Sequence, residues 1–122
     1  MKTIKLICLL FFFLSASAFS QENEQQGCTK HMAISAKMNF EKDLKNERIV
    51  IYVRGGIVAA ITEADRKFEK EYAIQYRDFG CLTPGNPSYY ENYNHHVFSY
   101  LKEKHGNDCV NLINKSAFGR KS

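Results

Sequence analysis

The 122-residue chain has room for a single domain. Its 17 Lys and Arg residues stand against 13 Asp and Glu residues, and the two signs are interspersed. This charge pattern contains no basic stripe that would neutralise many phosphates, so nucleic acid is not an expected partner.

The first 20 residues have the three regions of a secretory signal peptide. MKTIK carries two lysines, LICLLFFFL is an apolar run of nine residues, and SASAFS supplies small residues for cleavage after Ala18 or Ser20. Nine residues are too few to span a bilayer, which takes about 20 in a helix. We therefore expect export to the periplasm or the exterior, with no membrane span after the signal is removed.

The region after the signal begins with a polar stretch. Residues 21–27, QENEQQG, are expected to be disordered, and residues 28–122 are expected to form one globular domain. The start of that domain, residues 28–47, is ambiguous. Met38, Phe40 and Leu44 would line one side of a short helix, whereas residues 31–35 would also suit a strand.

A glycine pair separates two apolar runs in the middle of the chain. RIVIYVR, residues 48–54, is rich in β-branched side chains, and IVAAI follows at residues 57–61. Because glycine supplies the positive φ that tight turns need, Gly55-Gly56 predicts a β-hairpin. A phosphate-binding loop would instead require a helix to begin at the glycines.

A helix and another strand are predicted next. Thr62 and Asp65 have the spacing of a capping box, and residues 73–79 have the composition of a strand. Two strands joined by a crossover helix lie parallel when they share a sheet. The predicted fold is therefore α/β or α+β, with a small three-stranded mixed sheet, built from the hairpin and one crossover strand, packed against two or three helices.

The stretch RDFGC, residues 77–81, contains the D-F-G letters that hold magnesium in protein kinases. The chain has about half the length of a kinase domain and lacks the glycine-rich loop and the H-R-D catalytic loop. The stretch is therefore interpreted as a strand that ends in a tight turn at Gly80.

The longest predicted helix starts at Pro87, with Asn86 as its cap, and stops at Gly106. Its apolar face consists of five residues at helical spacing: Tyr90, Tyr93, Val97, Tyr100 and Leu101. A short helix from Asn107 or Asp108 is expected to turn Cys109, Leu112 and Ile113 inward, and Phe118 to close the core.

Three cysteines remain after export, which favours one disulfide and one free thiol. Cys28 is the expected tether, paired with Cys81 or alternatively with Cys109. The C-x-x-H spacing of Cys28 and His31 also suits half of a zinc site, which Cys81 and Cys109 would complete. The disulfide is the simpler interpretation, and we expect neither a metal nor a cofactor.

Two further positions are candidates for function. Cys81 would follow a parallel strand near a helix N-terminus, where a thiol paired with His96 could act as a nucleophile. Tyr89 is the more exposed of four tyrosines crowded into twelve residues, and it and His96 are candidate binding residues. With no convergent catalytic set, the leading prediction is a non-enzymatic module that binds a protein or a small ligand. The alternatives are a thiol- or metal-dependent protein that uses Cys81 with His96 or His31, and an inhibitor or immunity-type protein.

The run FEKEY…YRDFGC…YNHHVFSYLKEKHG, residues 68–106, resembles short exported proteins of Gram-negative bacteria that share an F-E-K-x-Y helix, a D-F-G turn and a Y-N-x-x-V-F-x-Y-L helix. Members of that group carry a tryptophan shortly after the glycine, where this chain has Asp108-Cys109. The resemblance implies a folded domain of bacterial export and brings no activity, ligand or catalytic residue with it.

Overall fold

The structure, a computed structural model, describes residues 23–57 and 60–121. The predicted signal peptide, residues 1–20, lies outside this part of the chain. The chain divides into two units, residues 1–30 and 31–122, and both strands lie in the second unit. The described residues form four helices and a two-stranded parallel sheet.

The first helix, α1, covers Asn23–Lys45 and resolves the ambiguity of residues 28–47 in favour of a helix. It also includes residues 23–27, which were expected to be disordered. Ala36 and Phe40, four residues apart, are its buried side chains. Lys42 and Lys45 lie in the last turn, where positive charge complements the carbonyl end of a helix. Glu47 then takes a left-handed conformation and ends the segment.

The sheet pairs strand β1, Val50–Val53, with strand β2, Gln75–Asp78, and Tyr52 lies beside Arg77 in the register. Helix α2, Glu63–Tyr72, connects the two strands. The parallel crossover pair is therefore as the sequence predicts. The third strand and the mixed character of the predicted sheet are wrong.

The predicted hairpin fails because its place beside β1 is taken. The C-terminal segment occupies that edge, where Arg54 N–H donates to Ser116 O at 2.8 Å and Phe118 N–H donates to Tyr52 O at 3.0 Å. Gly55 instead packs against the turn at Gly80, so closely that a Cβ would overlap the Gly80 backbone. Small size, and not turn conformation, is what the structure requires at Gly55.

Asn94 completes the same edge of β1 from within the core. Its side chain is 0 % exposed. The Oδ1 atom accepts from Tyr52 N–H at 2.9 Å, and Nδ2 donates to Tyr52 O at 2.7 Å and to Phe118 O at 3.0 Å. The amide thus pairs with β1 much as a neighbouring strand would.

The capping box of α2 is confirmed. Thr62 Oγ1 accepts from Asp65 N–H at 3.3 Å, and Asp65 Oδ2 accepts from Thr62 N–H at 2.7 Å. Asp65 is buried and also accepts from Asn114 Nδ2 at 2.8 Å. The cap therefore attaches α2 to the C-terminal segment. At the other end of α2, Glu69 Oε1 accepts from Tyr76 N–H of β2 at 2.7 Å.

Helix α3, Pro87–His105, and helix α4, Asn107–Leu112, follow the predicted boundaries. Asn86 precedes α3 but forms no side-chain cap, and Leu112 is 63 % exposed, both contrary to expectation. Cys109, Ile113 and Phe118 are buried as predicted. None of the described helices is long and apolar enough to cross a membrane.

The D-F-G stretch forms the tight turn that the sequence predicts. Asp78 Oδ1 accepts from Gly80 N–H at 3.0 Å, and Gly80 has a φ of 58°. The carboxylate of Asp78 therefore stabilises the turn locally, which is the usual use of aspartate in such loops.

Candidate functional site

A cleft of about 500 Å³ lies over one face of the sheet. Its floor consists of two residues from each strand: Val50 and Tyr52 of β1, and Gln75 and Arg77 of β2. These residues share a face because side chains alternate along a strand and the parallel register sets Val50 beside Gln75 and Tyr52 beside Arg77. Ile51 and Val53, the alternate residues of β1, are fully buried.

The walls of the cleft come from three other segments. Asn39, Lys42 and Asp43 lie on α1, Arg48 lies in the segment before β1, and Tyr89 lies on the first turn of α3. Asn39 Nδ2 donates to the Tyr89 hydroxyl at 2.6 Å. This hydrogen bond joins α1 to α3 at the rim.

The lining has an excess of positive charge. Lys42, Arg48 and Arg77 are its three cations, and Asp43 is its only carboxylate. Asp43 Oδ2 already accepts from the hydroxyl of Tyr93 at 2.7 Å. The ion pairs formed within the described ranges are Lys37–Glu41, Arg54–Glu91 and Arg66–Glu69, and none of them includes a cleft cation.

Two tyrosine hydroxyls near the floor remain protonated at neutral pH. Burial raises the pKa of Tyr52. The neighbouring Tyr89 and Asp43 raise this pKa further, whereas Arg77 lowers it. Burial also raises the pKa of Tyr93, and its hydrogen bond to Asp43 has the same effect. Tyr52 is packed edge-on against Tyr90 and Tyr93, with ring centroids 4.8 and 5.2 Å away, so its position is fixed by the core.

Of the two predicted binding residues, Tyr89 lines the cleft and His96 does not. His96 lies farther along α3 and stacks on Phe40 of α1, with ring centroids 5.8 Å apart and planes 19° apart. Burial lowers its pKa, and His95 and Lys37 lower it further, against an opposing effect of Glu41. The described contact of the His96 ring is therefore this aromatic stack on α1.

The three thiols lie in different surroundings. Cys81 is exposed in the turn after β2, with Sγ 3.8 Å from Gly56 O. Cys109 is 2 % exposed, and burial raises the pKa of its thiol, which the hydrogen bond with Tyr72 only partly offsets. All three cysteines are free thiols within the described residues, so the disulfide of Cys28 with Cys81 or Cys109 stays a prediction.

Cys81 contacts Gly56 from the turn after β2, whereas His96 contacts Phe40 of α1. Cys28 and His31 are one turn apart on α1, and both are exposed. Throughout residues 23–57 and 60–121, no three His, Cys, Asp or Glu side chains are grouped so that they could hold a metal ion. The Cys81–His96 nucleophile and the Cys28–His31 metal half-site both stay predictions.

Sequence reasoning identified Tyr89 and missed the cations around it. The three cations are not joined by a short motif, because 35 positions of sequence separate Lys42 from Arg77 and Arg48 lies between them. One signal was present: Arg77 alternates with the buried Tyr76 in a predicted strand, which places it on the opposite face of the sheet. The contribution of α1 depended on a helix that the sequence left undecided.

Comparison of the chain with protein-family models, with curated proteins and with solved structures finds no match.

Proposed function

We propose that this chain is an exported, non-enzymatic binding protein that holds a small polar ligand in the cleft above the sheet. The observation that carries the proposal is the cleft itself, in which polar side chains from five separate segments converge on a volume of about 500 Å³. Ligand sites commonly enclose about 300–1,000 Å³.

The type of side chain in the cleft favours binding over catalysis. Asn39 and Gln75 offer amide groups, Tyr89 offers a hydroxyl, and the cations offer N–H donors. The lining contains no Cys, Ser or His that a neighbouring base could activate as a nucleophile. Because most of these groups are polar, the ligand should be polar as well.

A small ligand fits the cleft better than a protein partner does. Side chains of α1 and α3 form walls around the floor, and the Asn39–Tyr89 hydrogen bond joins the two helices at the rim. The exposed thiol of Cys81 supports the thiol-dependent alternative. That alternative ranks second because His96 packs on Phe40 instead of near the thiol.

The test is a thermal-shift screen of the mature protein against small neutral, cationic and anionic metabolites. A ligand at about 100 times its Kd adds about 2.7 kcal/mol to the free energy of unfolding, which raises the melting temperature by several degrees. Gln75→Trp would fill the floor of the cleft and should abolish the shift. Asn111→Trp, an amide-to-indole change on the exposed side of α4, should leave it intact.

The proposal fails if no compound of any charge class raises the melting temperature. It also fails if the shift is the same in Gln75→Trp as in the unmodified protein, because the ligand would then bind outside the cleft.

A further inference from the structure

We propose that the ligand is a small organic polyanion, whose carboxylate or phosphate groups are bound by Lys42, Arg48 and Arg77. This inference rests on the proposed function and specifies the ligand class for the same cleft.

The three cations come from three different parts of the fold and meet at one cavity. Lys42 lies on α1, Arg48 lies before β1, and Arg77 lies on β2. Without the predicted signal peptide, the chain has 15 basic and 13 acidic residues, so its net charge is close to zero. The three-to-one ratio in the cleft is a local concentration of positive charge, of the kind that attracts anions.

The cleft cations take no part in the ion pairs that the described residues form. Each lacks an ion-pair partner among the described residues, although other surface cations, such as Arg54 and Arg66, have one. Asp43 is the carboxylate within the lining, and its Oδ2 accepts from the Tyr93 hydroxyl. The lining thus has three cationic side chains against this one hydrogen-bonded carboxylate.

The groups beside the cations indicate what else the ligand carries. Arginine binds carboxylate and phosphate through two parallel N–H bonds, and two arginines favour a ligand with at least two such groups. Gln75 and the Tyr89 hydroxyl offer neutral donors and acceptors next to them. Tyr52 stays protonated, so it adds a neutral hydroxyl to the floor and no negative charge. These groups suit a polyanion that also bears hydroxyl groups.

The experiment is isothermal titration of the mature protein at matched ionic strength with four probes. Citrate represents polycarboxylates, fructose 1,6-bisphosphate represents sugar phosphates, and glucose and spermidine are the neutral and cationic controls. We expect one of the two anions to bind, and the anion that binds identifies the source of the oxyanion groups. Affinity should fall about tenfold in each of Lys42→Gln, Arg48→Gln and Arg77→Gln.

Matched variants separate specific binding from general attraction. Lys67→Gln removes the same charge from the exposed face of α2, outside the cleft, and should leave the Kd unchanged. Arg77→Lys keeps the charge but loses the paired N–H geometry, so its Kd should fall between those of the unmodified protein and Arg77→Gln. Circular dichroism confirms that each variant is folded.

The possible failures are distinguishable. If glucose or spermidine binds in the cleft and neither anion does, the polyanion proposal is overturned while the binding function stands. If an anion binds but Lys67→Gln weakens it as much as the cleft variants do, the attraction is non-specific and the proposal is likewise overturned. If no probe binds and the broader thermal-shift screen is also negative, both proposals fall.

Discussion

Replacing Asn94 with leucine tests how much the hydrogen bonds of Asn94 stabilise the sheet and the floor of the cleft. Leucine has the same branched arrangement of four side-chain heavy atoms as asparagine but can form none of its hydrogen bonds. The substitution leaves Tyr52 N–H and Phe118 O without partners, whereas Tyr52 O keeps its bond from Phe118 N–H.

The magnitude follows from those two orphaned groups. A buried donor or acceptor without a partner costs about 1–3 kcal/mol, so Asn94→Leu should lower the free energy of unfolding by about 2–6 kcal/mol. A small domain has a total stability of about 5–15 kcal/mol. The variant should therefore be severely destabilised or partly unfolded at room temperature.

Urea unfolding followed by circular dichroism measures the change. Asn92→Leu is the matched control, because Asn92 lies on the same helix and its Nδ2 donates only to Ser88 O at an exposed site. The control should change the stability by less than about 0.5 kcal/mol. A loss below about 1 kcal/mol in Asn94→Leu would refute the conclusion that Asn94 completes the edge of β1.

Three further predictions concern other parts of the fold. The pKa of His96 lies below its ordinary value of 6.5 because burial disfavours the charged ring. Since the unfolded chain takes up the proton first as the pH falls, the free energy of unfolding should decrease below about pH 6.5. Urea unfolding from pH 8 to pH 5 measures this dependence, which His96→Asn should remove and His95→Asn should retain. Gly55→Ala should lower the melting temperature by several degrees because its Cβ would overlap backbone, whereas Gly85→Ala has open space and should be neutral. Cys109 should resist alkylation in the native protein and react in urea, as read by intact mass spectrometry; rapid native labelling would contradict its burial.

Local signals in the sequence predicted the second half of the fold well. The capping box of Thr62 and Asp65, the start of α3 at Pro87 and its end at Gly106 all depend on short-range chemistry, and all appear at the expected residues. The parallel arrangement of β1 and β2 followed from the helix between them.

The hairpin was wrong because its alternative is a long-range contact. Gly55 has the composition of a turn, but its role is to approach Gly80, and the free edge of β1 is filled by the segment around Ser116 and by Asn94. Strand pairing of this kind depends on residues more than 40 positions away. The periodic pattern of apolar residues along the sequence is a local signal and does not indicate such distant partners. The cleft escaped prediction for the same reason, since it is assembled from segments that are far apart in the sequence.

The central claim is that the cleft binds a small polar ligand, and a proton–nitrogen NMR titration tests it most directly. The uniformly labelled protein would be titrated with whichever compounds raise its melting temperature, or with citrate and fructose 1,6-bisphosphate if none does. We predict saturable shifts concentrated on the backbone amides of Arg48, Tyr52 and Arg77 and on the side-chain amides of Asn39 and Gln75. Saturable shifts that cluster elsewhere, or spectra that no compound changes, would contradict the account.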